Sequence, residues 1–266
     1  MFYVSSTLMW SYPVEEAILI AKQHGFQGVE IWAEHVWFHQ SDAAKIKQIA
    51  ARENMSLTLH AASWDLNLCS LNQGIREQSA AEITKSFILA AQLGARNVTI
   101  HPGRVTLTQS WKAWHMNILA QKLNSLAKEA GKLGLDLSIE HIEPIKKEFI
   151  VTPADMNELT ARIAYPVSTT FDIAHVPLTY PLVDFYRELR GISKVHISDA
   201  TVNQLHLPLG QGDVALSTIL PVIMEKETII VVEGIDFSQE TEALKQNAKY
   251  LQTQVWSSDW SREHVL

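Results

Sequence analysis

Short apolar runs alternate with longer amphipathic stretches along the whole chain. The apolar runs occupy residues 2–5, 28–33, 57–61, 97–101, 135–140, 167–172, 194–199 and 228–236. They are short and rich in β-branched residues, which predicts buried strands. The stretches between them carry helix punctuation. Pro13 opens the first, which closes at His24 and Gly25, with Pro at its first turn and Gly after its end. Ser41 and Asp42 cap a helix through Glu53. Helices are predicted over 75–93 and 109–133, stopped by Gly94 and Gly134, and over 153–163, opened by Thr152 and Pro153. Three more are expected at 182–190, 214–226 and 238–252, and the tail from Val255 to Leu266, a poor helix former, is expected on the surface.

Eight strand–helix units follow one another without a linker or a low-complexity segment. Right-handed parallel crossovers repeated eight times close into a (β/α)8 TIM barrel, an α/β fold in which residues 1–266 form a single domain. A doubly wound open sheet is the alternative, but it does not need eight units.

Composition narrows the function. The chain is 47% hydrophobic, ample for a large core, and its net charge of -7 argues against a nucleic-acid partner. A single cysteine, Cys69, allows no internal disulfide and fits a reducing cytoplasm. No signal peptide and no membrane span are expected. Exposed barrel helices leave room for a homo-oligomer.

The strand ends hold the candidate chemistry: Glu30, His60, His101, Glu140, Asp172, His196 and Glu233. A barrel converges such ends on one face, where barrel enzymes place their reactions. Glu140, Asp172, His196 and Glu233 form the tightest set. Three carboxylates and an imidazole suit one divalent ion, Mn, Co, Mg or Zn, and three buried carboxylates without a cation would repel one another. His60 and His101 are candidates for substrate contact or for a further metal. His175 has room to reach the pocket, whereas His141 should point away from Glu140's side and pack against an outer helix. Trp10, Trp32, Trp37 and Trp64 crowd the rim and either stack on a sugar's C–H face or plug the barrel mouth. Gly210 to Asp213 reads as a tight turn before a phosphate cradle.

These residues carry a resemblance. Leu59-His-Ala61, Thr99-Ile-His-Pro-Gly103, Phe171-Asp-Ile-Ala-His175, Val195-His-Ile-Ser-Asp199, the run from His206 to Asp213 and Val232-Glu-Gly234 stand in the order of the xylose isomerase-like TIM-barrel superfamily. The chain resembles its sugar phosphate isomerase/epimerase branch over nearly its full length. The resemblance implies that Glu140, Asp172, His196 and Glu233 bind one metal and that Glu140 and Glu233 are also acid and base. The reaction would pass through a cis-enediolate of a small carbohydrate. His60, His101, His175, His206 and Trp32 are then the expected substrate contacts. The same superfamily holds the endonuclease IV group, zinc enzymes acting at abasic DNA sites, whose ligand positions match His60, His101, Glu140, Asp172, His175, His196, His206 and Glu233. Where that group has an aspartate two residues before the last histidine, this chain has Gln204, a poor zinc ligand. Against the ketohexose 3-epimerases, 201–205 lacks their sugar-contacting arginines and Lys146 replaces a glutamate. These departures weigh against a free ketohexose and leave inositol-derivative and dehydratase chemistries open.

Overall fold

The computed structural model describes residues 1–107 and 111–256. Its strands are β1 (Phe2–Ser5), β2 (Gly28–Trp32), β3 (Ser56–His60), β4 (Asn97–Ile100), β5 (Asp136–Glu140), β6 (Ser168–Asp172), β7 (Ile192–Ile197) and β8 (Ile229–Val232). They form one closed parallel barrel in chain order, with β1 paired to both β2 and β8. The helices are α1 (Val14–Gln23), α2 (Ala33–Phe38), α3 (Ala43–Arg52), α4 (Gln73–Leu93), α5 (Lys112–Lys132), α6 (Pro153–Ala161), α7 (Leu182–Glu188), α8 (Leu216–Met224) and α9 (Glu242–Gln254). The expected eight units are present.

Strand alternation sorts the side chains. Val29, Ile31, Leu59, Val98, Ile139, Phe171 and Val195 join helix residues in the hydrophobic core. The intervening residues line the barrel axis, and many are polar. Thr170 Oγ1 lies 3.0 Å from Thr99 Oγ1 and 2.6 Å from Ser138 Oγ, across the interior. The axis is a hydrogen-bonded column where many barrels pack aliphatic layers.

Helix starts follow their caps. The Asp42 carboxylate accepts the Ala44 N–H at 2.8 Å, and Thr152 and Asp155 form a reciprocal capping box. Gly94 ends α4 with φ 76°, a left-handed conformation that glycine adopts without strain. Two helices start later than their sequence suggests. The Val214 N–H is held by Asp199 at 3.0 Å, so α8 begins at Leu216. Asp236 accepts from Ser238 and Ala243 N–H groups, which turns the chain before α9. The expected start of α5 at Gln109 lies outside the described residues. The short helix α2 is not foreseen by the pattern. The tail differs from expectation where it is described: Val255 is buried, and the Trp256 ring packs edge-on against Phe2 and Phe26. Residues 257–266 lie outside the described residues. No described helix is long and apolar enough to cross a membrane.

Candidate active site

The C-terminal ends of β5 to β8 bring Glu140, Asp172, His196 and Glu233 together, with one ligand atom of each within 4.8 Å of the others. All four are buried. Sheet register sets the arrangement. Asp172 is the cross-strand partner of His196, and Glu233 follows β8 with its N–H on the Ile197 carbonyl at 2.9 Å. His196 Nδ1 donates to Glu140 Oε1 at 3.0 Å and lies 2.7 Å from Glu233 Oε2, out of line for a second hydrogen bond. Asp172 Oδ1 accepts the Ala174 N–H at 2.7 Å, but its Oδ2 is buried with no hydrogen-bond partner, as is Glu233 Oε2.

Buried carboxylate oxygens without donors are costly; Asp172 Oδ2 is one, and Glu233 Oε2 has only the poorly aligned His196 Nδ1. Burial and then repulsion by Glu233 and Glu140 push Asp172 up to about 6, even with His175 pulling the other way. Burial opposes charge on His196, yet Glu233, Glu140 and Glu30 raise its pKa well above the usual histidine range. The cluster therefore demands positive charge. With three carboxylates, an imidazole and the Asp172 Oδ2 without a donor, it fits a hard or borderline divalent cation.

Two further groups overlap with this one: His60 and His101 with Glu140, and His175 and His206 with Asp172. His60 Nε2 and His101 Nε2 lie 3.4 and 3.2 Å from Glu140 Oε2. His175 Nδ1 donates to the His141 carbonyl at 2.9 Å, which leaves Nε2 facing Glu143 and Asp172 at 3.5 and 3.6 Å. Burial opposes its charge, but Asp172, Glu140 and Glu143 carry its pKa up to about 9. His206 is half-buried, with Nδ1 3.1 Å from Ser198 Oγ.

A cavity of ≈ 240 Å³ opens over the cluster, lined among others by Trp32, Trp64, His101, His175, His206 and Glu233. Four of the five expected contact residues thus reach it. His60 does not. It is the cross-strand partner of Trp32 and stacks behind that ring at 3.9 Å, fully buried, so it holds Glu140 instead. Among the rim aromatics, Trp10 is covered by Phe38 and Trp64, and Trp37 turns outward to α4, where Lys85 Nζ lies 3.9 Å over its ring.

Other positions refine the reading. Glu30 is not a strand end: it lies two residues before the end of β2, inside the barrel, paired with Lys194, a residue the sequence reading passed over. His141 does point away, stacking against Phe171 and packing against Phe185 of α7. Burial pushes its pKa down to about 3, and its neutral Nε2 accepts the Asp172 N–H. The glycine turn is a turn: Asp199 accepts N–H groups from Ala200, Gly210 and Val214 at 2.9, 2.9 and 3.0 Å, and the Gln211 and Asp213 amides donate to the Pro208 and Ala200 carbonyls. Asp199, at the end of the Val195–Asp199 motif, organises the loop that carries His206.

A closed parallel barrel with a cation-fitting cluster at the C-terminal strand ends defines the class. The chain belongs to the xylose isomerase-like TIM barrel family, which it matches over residues 18–254. It is 24% identical over 234 residues to an uncharacterized protein of Methanocaldococcus jannaschii, covering 84% of this chain and 79% of that one. It is also 24% identical over 231 residues to the fructoselysine 3-epimerase of Escherichia coli O157:H7, covering 80% of this chain and 82% of the relative. In fold it is similar to a D-tagatose 3-epimerase-like protein, with a TM-score of 0.82 and 22% identity over 95% of this chain and 97% of the other.

Proposed function

We propose that this protein is a divalent-metal-dependent isomerase or epimerase acting on a sugar or a related polyol ketone. The observation that carries the reading is the buried cluster of Glu140, Asp172, His196 and Glu233, whose Asp172 Oδ2 has no donor. The epimerase among its relatives supports it. The four residues would hold one Mn, Co, Mg or Zn ion. When bound, that ion supplies Lewis-acid polarisation of a carbonyl and its neighbouring hydroxyl, which acidifies the α-proton.

The two glutamates differ. Glu233 lines the cavity, so it takes the α-proton. Glu140 is fully buried, with His60 and His101 at Oε2 and His196 at Oε1; on the other face it would return a proton that it takes from these imidazoles, while Glu233 gives up the abstracted proton to solvent. Return to the same carbon inverts it; return to the neighbouring carbon converts aldose and ketose. Protonated His175 and the imidazoles of His101 and His206 offer hydrogen bonds to hydroxyls, and Trp32 offers a face for C–H groups. An abasic-site endonuclease is disfavoured because no described Lys or Arg lines the cavity, where a DNA backbone needs cations.

The test is exchange of the α-proton of ketoses with D2O. Metal-loaded wild-type protein should exchange it, and Glu233→Gln, still metal-loaded, should be slower by about 10²–10⁴-fold. Equal rates in the two proteins would remove the assignment.

A further inference from the structure

A second groove lies on the far side of His175 and Glu143. It measures ≈ 590 Å³ and runs between the loops that follow β5, β6 and β7. Glu143 and His175 line this groove and the cavity over Glu233 alike, so the two spaces meet at those side chains. The groove is mostly apolar, with a few neutral polar groups along it. Ile145, Leu178 and Val202, from three different loops, expose 57%, 38% and 87% of their surfaces. Between them stand the neutral polar residues Thr179, Thr201 and Gln204.

The inner cavity, at ≈ 240 Å³, is smaller than the ≈ 300–1,000 Å³ of ordinary ligand sites, and the groove supplies the missing space. Neither space has a described Lys or Arg in its lining, and Glu143 stands where they join. The nearby glycine turn is a poor substitute, since its Gly210, Gln211 and Asp213 amides are already bound to Asp199, the Pro208 carbonyl and the Ala200 carbonyl. A phosphate dianion would therefore find no lysine or arginine and would face the Glu143 carboxylate, with His175, already shared between Glu143 and Asp172, the cationic group nearest to it.

Resting on the isomerase reading, we infer that the groove is a subsite for the non-reacting part of the substrate. The substrate class is an unphosphorylated sugar carrying a neutral appendage of mixed polar and apolar surface, such as a second glycosyl unit. The reacting carbons lie over Glu233 and the appendage passes His175 and Glu143 into the groove. Apolar C–H faces meet Ile145, Leu178 and Val202, and hydroxyls meet Thr179, Thr201 and Gln204. Binding energy gathered there would be used at the reacting end, so its loss lowers kcat/KM for the long substrate alone.

The experiment compares α-proton exchange into D2O for fructose, fructose 6-phosphate and the 5- and 6-O-glucosyl derivatives of fructose, using the metal-loaded full-length protein. At least one glucosyl derivative should show kcat/KM about tenfold or more above fructose, with the phosphate slowest. Val202→Trp and Ile145→Trp, which fill the groove away from the reacting groups, should bring the derivative down to fructose and leave fructose unchanged. Methyl signals of Ile145 and Val202 should shift with the derivative and not with fructose. Exchange of fructose without preference for either derivative, or groove variants that slow all sugars alike, would overturn the subsite and leave the isomerase reading standing. No exchange with any of the sugars would overturn both.

Discussion

Lys194 and Glu30 form an ion pair inside the barrel, with side chains 0% and 1% exposed. Lys194 Nζ also donates to Thr99 Oγ1 at 2.8 Å, and Thr58 Oγ1 donates to the same Glu30 oxygen at 3.1 Å. The other Glu30 oxygen lies 2.7 Å from His196 Nε2, a charge contact out of line for a hydrogen bond, like that of Glu233. Burial opposes ionisation of Glu30, but Lys194 and then His196 hold its carboxyl far below the usual carboxylate range. Glu30 thus keeps the Nε2 side of His196 occupied and turns Nδ1 toward Glu140 and Glu233, the arrangement by which carboxylates orient metal-binding imidazoles.

Removing the lysine should expose that dependence. Lys194→Met leaves a buried carboxylate without its cation, which costs about 3–5 kcal/mol in urea unfolding. Metal affinity, measured by calorimetry, should fall by about 10–100-fold. Adding Glu30→Gln should recover part of the stability, because the orphaned charge is gone, but not the affinity. Unchanged metal affinity in Lys194→Met would show that the pair supports the barrel alone.

Asp199 makes a separate prediction. Its carboxylate accepts three backbone N–H groups, and a Cβ at Gly212 would collide with it and with the Ala200 carbonyl. Asp199→Asn turns an acceptor into a donor facing amide donors, and should cost about 1–3 kcal/mol. Gly212→Ala should loosen the same loop. Both should weaken substrate binding through His206, seen as a rise in KM, while the four-residue cluster keeps its metal.

His35 predicts a pH dependence of stability. It is fully buried, with Nε2 on the Tyr12 carbonyl at 2.8 Å and Nδ1 unpartnered. Burial pushes its pKa down to about 4 from 6.5. Below pH 6.5 the unfolded chain takes a proton that the folded protein refuses, so its contribution is full above that pH. It is lost as pH falls from 6.5 to 4, by up to about 3 kcal/mol. Denaturant titrations at pH 7, 5.5 and 4.5 check this, and His35→Gln should flatten the slope across that window.

Much of the fold was legible because each strand announced itself in a short β-branched run and each helix in its caps. The four-residue cluster was legible for a simpler reason: Glu140, Asp172, His196 and Glu233 stand at or beside strand ends, and a closed barrel gathers strand ends. What escaped depended on depth and direction. Lys194 and Glu30 each lie two residues before a residue of the site, His196 and Trp32, on the same inward face. Period-two alternation could have found them, but nothing local says that one neutralises the other across the barrel. His60 was read as a substrate contact because strand position gives no view of the Trp32 ring in front of it. Trp37 was placed at the rim because α2 was not foreseen, and that helix turns it outward.

The measurement that bears most directly on the account is metal content per chain, by mass spectrometry of protein purified without added metal or chelator. The account predicts one Mn, Co, Mg or Zn ion in wild-type protein and its loss in Asp172→Asn, with the fold retained by circular dichroism. Two or three zinc ions would instead make ligands of His60, His101, His175 and His206, and no metal after incubation with all four ions would contradict the account outright.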